Sequence, residues 1–270
     1  MRISRVFLST AAIVSSALLA LATSTAAHAA STGRYVALGD SYTSGLGAGS
    51  YISSSGSCDR SGNAYPEQWS DANSPASFVS AACSGATTAD VIDGQVSALS
   101  ASTTLVSITI GGNDAGFSTV METCVLESTS SCLNAVSAAE SFITSPGGLP
   151  ARLNTTLHTI RADAPNAKIV VLGYPDLYDL SKSSTCLGLS TNDRMALNGG
   201  ADDLDSALAA AAAANGDTFG DVRGQFAHHE ICDSGSWLNS VDIFAISSSY
   251  HPNTAGQELG YQPVFTAAVG

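Results

Sequence analysis

An α/β domain built on a single doubly wound, mostly parallel sheet is the fold that this sequence predicts. Three observations predict it. Apolar runs at residues 35–38, 105–110 and 168–172 are nearly continuous and are each stopped by glycine, as expected of strands buried on both faces. Segments of helical period lie between the runs. Strands alternating with helices imply βαβ units, which put helices on both sides of a parallel sheet.

The elements follow in chain order. Met1-Arg2-Ile3-Ser4-Arg5 is short and basic, an apolar stretch runs from Val6 to Ala22, and small residues lead to Ala27-His28-Ala29. This three-part pattern is that of a secretory signal peptide over 1–29, with an A-x-A cleavage site. The apolar stretch is too short and too polar to span ~30 Å of hydrocarbon. Residues 30–270 then form one domain, long enough to bury a sizeable core. Arg2 and Arg5 leave with the leader, so 8 basic side chains remain against 23 acidic ones, a formal charge of −15. Such a surface repels nucleic acid and anionic membranes at long range.

Tyr35-Val36-Ala37-Leu38 is the first strand and ends at Gly39-Asp40. Ser77-Phe78-Val79-Ser80 is the second and stops near Cys83-Ser84-Gly85. The third ends at Gly111-Gly112 and the fourth at Gly173-Tyr174-Pro175. A fifth strand is expected around Phe226-Ala227. Thr87 or Thr88 caps a helix carrying Val91, Ile92, Val96 and Leu99. Leu149, Leu153, Leu157, Ile160 and Ala164 step by three or four and mark one apolar helix face. Residues 195–214 are Leu/Ala-rich and helical, although Gly199-Gly200 weakens the start of that helix. Two stretches, about 44–73 and 181–190, are rich in Gly and Ser, hold cysteines, and read as long loops.

All six cysteines follow the leader: Cys58, Cys83, Cys124, Cys132, Cys186 and Cys232. An even number in an exported chain reads as disulfides. Of the fifteen possible pairings, neighbour-to-neighbour is the simplest. No C-x-x-C occurs and the spacings fit no common zinc module, so no metal is expected.

Folds of this class place their sites at the carboxyl ends of the strands. Three such ends converge here: Gly39–Gly45, Cys83–Ala86 and Gly111–Asp114. Ser41 stands on a strand-to-helix turn, where a hydroxyl projects above the sheet edge as an exposed nucleophile does. Gly85 leaves its N–H open to close approach, and the Asn113 amide can donate to a developing oxyanion. Taken alone, each of these is equally an ordinary turn. Gly45-Leu46-Gly47-Ala48-Gly49-Ser50 misses the dinucleotide spacing and lacks the lysine of a phosphate loop. A nucleophilic serine needs a base. Of His158, His228, His229 and His251, His158 sits in a helical pattern; His251 lies in a proline-stiffened loop before a helical tail, Tyr250-His251-Pro252-Asn253, and is the first candidate, with His229 as the alternative.

Gly39-Asp40-Ser41-Tyr42, Ser84-Gly85-Ala86-Thr87, Gly111-Gly112-Asn113-Asp114 and His251-Pro252-Asn253, in that order and spacing, resemble the four blocks of the SGNH (GDSL) hydrolase family. The likeness runs from Tyr35 to about Gly256, and the six cysteines resemble those of its secreted actinobacterial lipases, esterases and phospholipases. The resemblance implies a flavodoxin-like three-layer sandwich with disulfide-stapled loops. It implies Ser41 as nucleophile and His251 as base, and an oxyanion hole from Ser41, Gly85 and Asn113. The family's aspartate three residues before the histidine is here Ser248. A backbone carbonyl at Ser248 is therefore expected to orient His251; Asp242, nine residues away, is a poor substitute by spacing.

The reading is a secreted, extracellular carboxylic ester hydrolase acting through an acyl-enzyme, without metal or cofactor. Its expected partner is an ester or lipid substrate. No nucleic acid and no membrane anchor are expected, and the protein is expected to be a monomer. The alternatives are a carbohydrate acetyl esterase and a non-catalytic binding protein. A series of ester chain lengths separates them.

Overall fold

The computed structural model describes residues 33–182, 186, 188–242 and 246–270. The expected leader at 1–29 lies outside the described residues. Five strands form one sheet: β1 (Arg34–Gly39), β2 (Ser77–Ser80), β3 (Thr103–Thr109), β4 (Lys168–Leu172) and β5 (Thr218–Gly220). Their order is β2-β1-β3-β4-β5 and every pairing is parallel. Tyr35 pairs with Leu105 and Leu38 with Ile108, so the first and third apolar runs lie side by side at the centre of the sheet. In this order the winding reverses between β1 and β3, which opens a crevice at their carboxyl ends.

The helices are α1 (Ser41–Ser44), α2 (Tyr65–Asn73), α3 (Thr88–Asp93), α4 (Phe117–Leu126), α5 (Thr129–Thr144), α6 (Leu149–Asp163), α7 (Thr191–Asn215), α8 (Arg223–Phe226) and α9 (Gln262–Val269). One layer is α3, α6 and α7 side by side, with α4 and α5 packed beyond; the other is α2 with α9. Val36, Ala37, Leu38, Val106 and Ile108 are wholly buried between the layers. On the α2–α9 side Tyr35 is the centre of an aromatic cluster, with Phe78, Trp69 and Phe265 at 5.0–5.4 Å between ring centroids. Each such ring contributes ~1.5–3 kcal/mol by leaving water.

Two expected helices start on capping boxes, each worth ~1 kcal/mol. Thr87 and Asp90 cap α3, and Ser190 and Asp193 cap α7. That second box starts α7 four residues before the expected position. The fifth strand is Thr218–Gly220, not the segment around Phe226. Phe226 instead closes α8, its ring against Trp237 and Tyr261. The stretch 44–73 is not all loop, because α2 occupies its end and buries Tyr65 and Trp69, four residues apart. Neighbouring cysteines pair throughout: Cys58–Cys83, Cys124–Cys132 and Cys186–Cys232. The closed loops of 25, 8 and 46 residues correspond to ~3.5, ~2.5 and ~4 kcal/mol of loop-closure entropy.

Candidate active site

The turn that carries Ser41 is set by glycine. Gly39 has φ 126°, and a Cβ there would sit 2.4 Å from the carbonyl oxygen of Thr109. Only glycine lets the ends of β1 and β3 come this close. Gln95 then clasps the same peptide, accepting from the Gly39 N–H at 2.7 Å and donating to its carbonyl at 2.8 Å. Asp40 caps α1 by accepting from the Tyr42 N–H at 3.0 Å, and Ser41 begins the helix.

His251 arrives from the far end of the chain. Tyr250 holds φ 66°, which turns the backbone immediately before the imidazole. The Tyr250 N–H donates to the Asn239 carbonyl, and the Asn239 N–H and amide both donate to the His251 carbonyl. The Tyr42 hydroxyl donates to the Tyr250 carbonyl at 2.8 Å. The helix that carries Ser41 is thereby bound to the loop that carries His251.

Ser41 and His251 are both buried and in contact: Ser41 Oγ lies 2.8 Å from His251 Nε2. On the other side of the ring, Nδ1 lies 2.9 Å from the carbonyl of Ser249. A carbonyl only accepts, so Nδ1 carries the proton and Nε2 presents its lone pair to the Ser41 hydroxyl. The orienting carbonyl is thus that of Ser249, not of Ser248 as expected. The Ser248 carbonyl instead accepts the backbone N–H of His251 in the turn, at 3.3 Å. Asp242 is exposed, and its N–H donates to the Ser249 hydroxyl at 2.9 Å.

Burial lowers the His251 pKa to about 4, and the hydrogen bond to Ser249 opposes that shift only in part. The imidazole is neutral at pH 7. With no carboxylate on Nδ1, it takes a proton when negative charge develops beside it. The rings of Tyr42 and Phe117 flank it, at 5.1 and 6.4 Å between centroids.

The two other strand ends meet this turn. Gly85 sits in a left-handed turn (φ 79°) after β2, and Cys83 just before it donates its N–H to the Gly39 carbonyl. The Asn113 amide donates to the Ala86 carbonyl at 2.9 Å, which leaves its second hydrogen for another acceptor. Asp114 accepts from both the N–H and the hydroxyl of Thr88 and pairs with Arg152 at 3.1 Å, fixing the turn after β3 to the start of α3. The remaining histidines lie elsewhere. His158 and His228 are exposed, and His229 stacks on Trp237 at 3.8 Å with Nδ1 on the Gly235 carbonyl.

Sequence reasoning assigned no part to Tyr174. Its hydroxyl donates to Asp40 at 2.5 Å and accepts the Gly112 N–H at 3.1 Å. It therefore joins the Ser41 turn to the Asn113 turn through one buried phenol. Burial raises the Asp40 pKa to about 7, opposed by the bonds from Tyr174 and Tyr42. The available signal was its position: Gly173-Tyr174-Pro175 is itself a strand end in this class of sheet.

An apolar cavity opens beside the serine. Ser41, Asn113 and Tyr174 form one end, and Phe117, Val120, Val136, Ile143, Leu197 and Leu204 line the rest. Its walls come from α4, α5 and α7. It suits a hydrocarbon chain and offers little to a sugar, whose hydroxyls would lose their water without replacement.

Residues 37–259 match the GDSL-like Lipase/Acylhydrolase family. The chain is 53% identical over 252 residues to Lipase 1 of Streptomyces coelicolor, covering 93% of this chain and 92% of the relative. Its structure is similar to that of phospholipase A1 from Streptomyces albidoflavus NA297, with a TM-score of 0.85 at 51% identity over 88% of this chain and 100% of the other. It is also similar to an extracellular lipase from Streptomyces rimosus, with a TM-score of 0.84 at 47% identity over 87% of this chain and 99% of that one.

Proposed function

The chain belongs to the GDSL-like Lipase/Acylhydrolase family and is a carboxylic ester hydrolase of the lipase/esterase kind, and on that premise we propose that Ser41 is its nucleophile and His251 its base. The observation that carries the proposal is the 2.8 Å hydrogen bond between Ser41 Oγ and His251 Nε2, at one end of an apolar cavity.

In the reaction, Nε2 takes the Ser41 proton as Oγ bonds to the ester carbonyl carbon. Charge moves to the carbonyl oxygen, where the N–H groups of Ser41 and Gly85 and the free amide hydrogen of Asn113 receive it. The imidazolium is held in orientation by the Ser249 carbonyl and gives its proton to the departing alcohol. Water then gives a proton to Nε2 as its oxygen bonds to the acyl carbon; the bond to Oγ breaks, Nε2 returns the proton to Oγ, and the acid leaves. The absent aspartate leaves the imidazolium without a permanent counter-charge, and the oxyanion itself becomes its partner.

The substrate in this reading is a lipid ester whose acyl chain fills the apolar cavity. The protein is secreted, as the leader pattern and three disulfides support. A phospholipase A-type activity belongs to the same reading, since the phospholipase A1 relative is so similar in fold and sequence.

Hydrolysis of p-nitrophenyl esters from acetate to palmitate tests it. Each methylene entering the cavity should raise kcat/KM by about fourfold, from ~0.8 kcal/mol of transfer free energy, until the cavity is full. Activity confined to acetate would favour a carbohydrate acetyl esterase. A Ser41→Ala protein that keeps its activity would remove the nucleophile assignment.

A further inference from the structure

Gly199 and Gly200 stand in the interior of α7, where glycine weakens a helix relative to alanine. The backbone does not demand them, for neither has positive φ. Packing does not demand them either. A Cβ at Gly200 would lie 3.8 Å from Val136 Cγ1, and one at Gly199 3.8 Å from Glu140 Oε1, both ordinary contacts. What differs between them is the space they face.

Gly200 lines the cavity that begins at Ser41, and Gly199 does not. On α7 the cavity takes Leu197, Gly200, Ala201 and Leu204, spaced at three and four residues along one helical face. On α5 it takes Val136, Ala139 and Ile143 in the same way, and the two helices pack against each other. Between the two leucines this face carries only the methyl of Ala201 and, at Gly200, no side chain. Atoms beyond a Cβ at Gly200 would enter the cavity.

We propose that Gly200 sets the length of acyl chain the enzyme accepts, by keeping open the space between α5 and α7 through which the chain runs. This rests on the reading of the cavity as the acyl site. Helix stability is given up at Gly200 for substrate volume. Gly199, one position round the helix, carries the same helix weakness without that role and serves as its control.

The test compares wild type, Gly200→Ala, Gly200→Leu and Gly199→Ala across the p-nitrophenyl series, with thermal unfolding of each. Gly200→Leu should turn three or four methylenes out of the cavity, at about fourfold each. The ratio of kcat/KM for long over short chains should therefore fall by on the order of 10². Gly200→Ala should raise Tm and lower the ratio by only a few-fold. Gly199→Ala should raise Tm and leave the ratio as in wild type. A folded Gly200→Leu with the wild-type ratio overturns the proposal, as does a Gly199→Ala that shifts the ratio as far as Gly200→Ala. If Gly200→Leu does not fold, an unchanged ratio in Gly200→Ala overturns it. A wild type active only on acetate overturns the acyl-site reading and this proposal together. A wild type with long-chain preference and unmoved variants overturns this proposal alone.

Discussion

Replacing Asn113 with alanine removes one hydrogen bond of the folded protein and, on the proposed mechanism, one of the transition state. One hydrogen of the amide is held by the Ala86 carbonyl at 2.9 Å in the folded protein. Losing it should cost about 1 kcal/mol of stability and loosen the turn that presents Gly85. The other hydrogen is assigned to the oxyanion and acts in the transition state. Its loss should cost ~3–4 kcal/mol there, so kcat should fall by about 10²–10³ with little change in KM. Asn113→Asp is the control, since an ionised carboxylate has the same shape but no hydrogen to donate; it should be at least as impaired. The assay pairs kcat and KM on a soluble short-chain ester with urea unfolding of each variant. A kcat within tenfold of wild type, or a rise in KM with kcat held, would refute the oxyanion role. A stability loss far above 1 kcal/mol, with activity tracking the folded fraction, would make the residue purely structural.

Three further outcomes follow from the same geometry. With its pKa lowered to about 4, His251 stays neutral as pH falls; at pH 5.5 an ordinary histidine would be only about one-tenth neutral. The rate constant kcat/KM at pH 5.5 should therefore stay within twofold of its value at pH 7.5, measured as p-nitrophenol in aliquots made alkaline after quenching. A half-maximum near 6.5 would contradict this, and a fall near 7 that disappears in Asp40→Asn would assign the titration to Asp40. Because a main-chain carbonyl at Ser249 faces Nδ1, Ser248→Ala and Asp242→Asn should keep activity within about tenfold, against the ~10⁴ that loss of a triad aspartate costs. His251→Ala should lose nearly all of it. A thousandfold loss in Asp242→Asn, with the fold intact by circular dichroism, would show a carboxylate at work.

Much of this site was legible because its chemistry sits at strand ends. Apolar runs stopped by glycine placed Ser41 and Asn113 just past two strand ends; those strands, β1 and β3, are neighbours in the sheet, and the glycine at 39 is where they come closest. The proline after His251 marked the loop that brings this histidine to Ser41. What was not legible depends on distances in space. The bond between Asp40 and Tyr174 spans 134 residues, and no local pattern pairs them. The orienting carbonyl was misplaced by one residue because Tyr250 takes a left-handed conformation, which a non-glycine residue rarely announces. The strand Thr218–Gly220 is three residues long, too short for alternation or run length to register. The helices α4 and α5, which build most of the cavity wall, were not expected at all. Their Ser- and Thr-rich sequences blur the apolar face on which a periodic reading depends.

The central claim is that one serine, held against a neutral imidazole, attacks the ester. A long-chain p-nitrophenyl alkylphosphonate tests it most directly, because it stops the reaction at a covalent mimic of the tetrahedral state. Intact mass should show one adduct per chain with loss of p-nitrophenolate, and peptide mapping should place it on Ser41. The adduct should be absent from Ser41→Ala and form far more slowly on His251→Ala. An adduct on any other residue, or labelling of Ser41→Ala at the wild-type rate, would contradict the account.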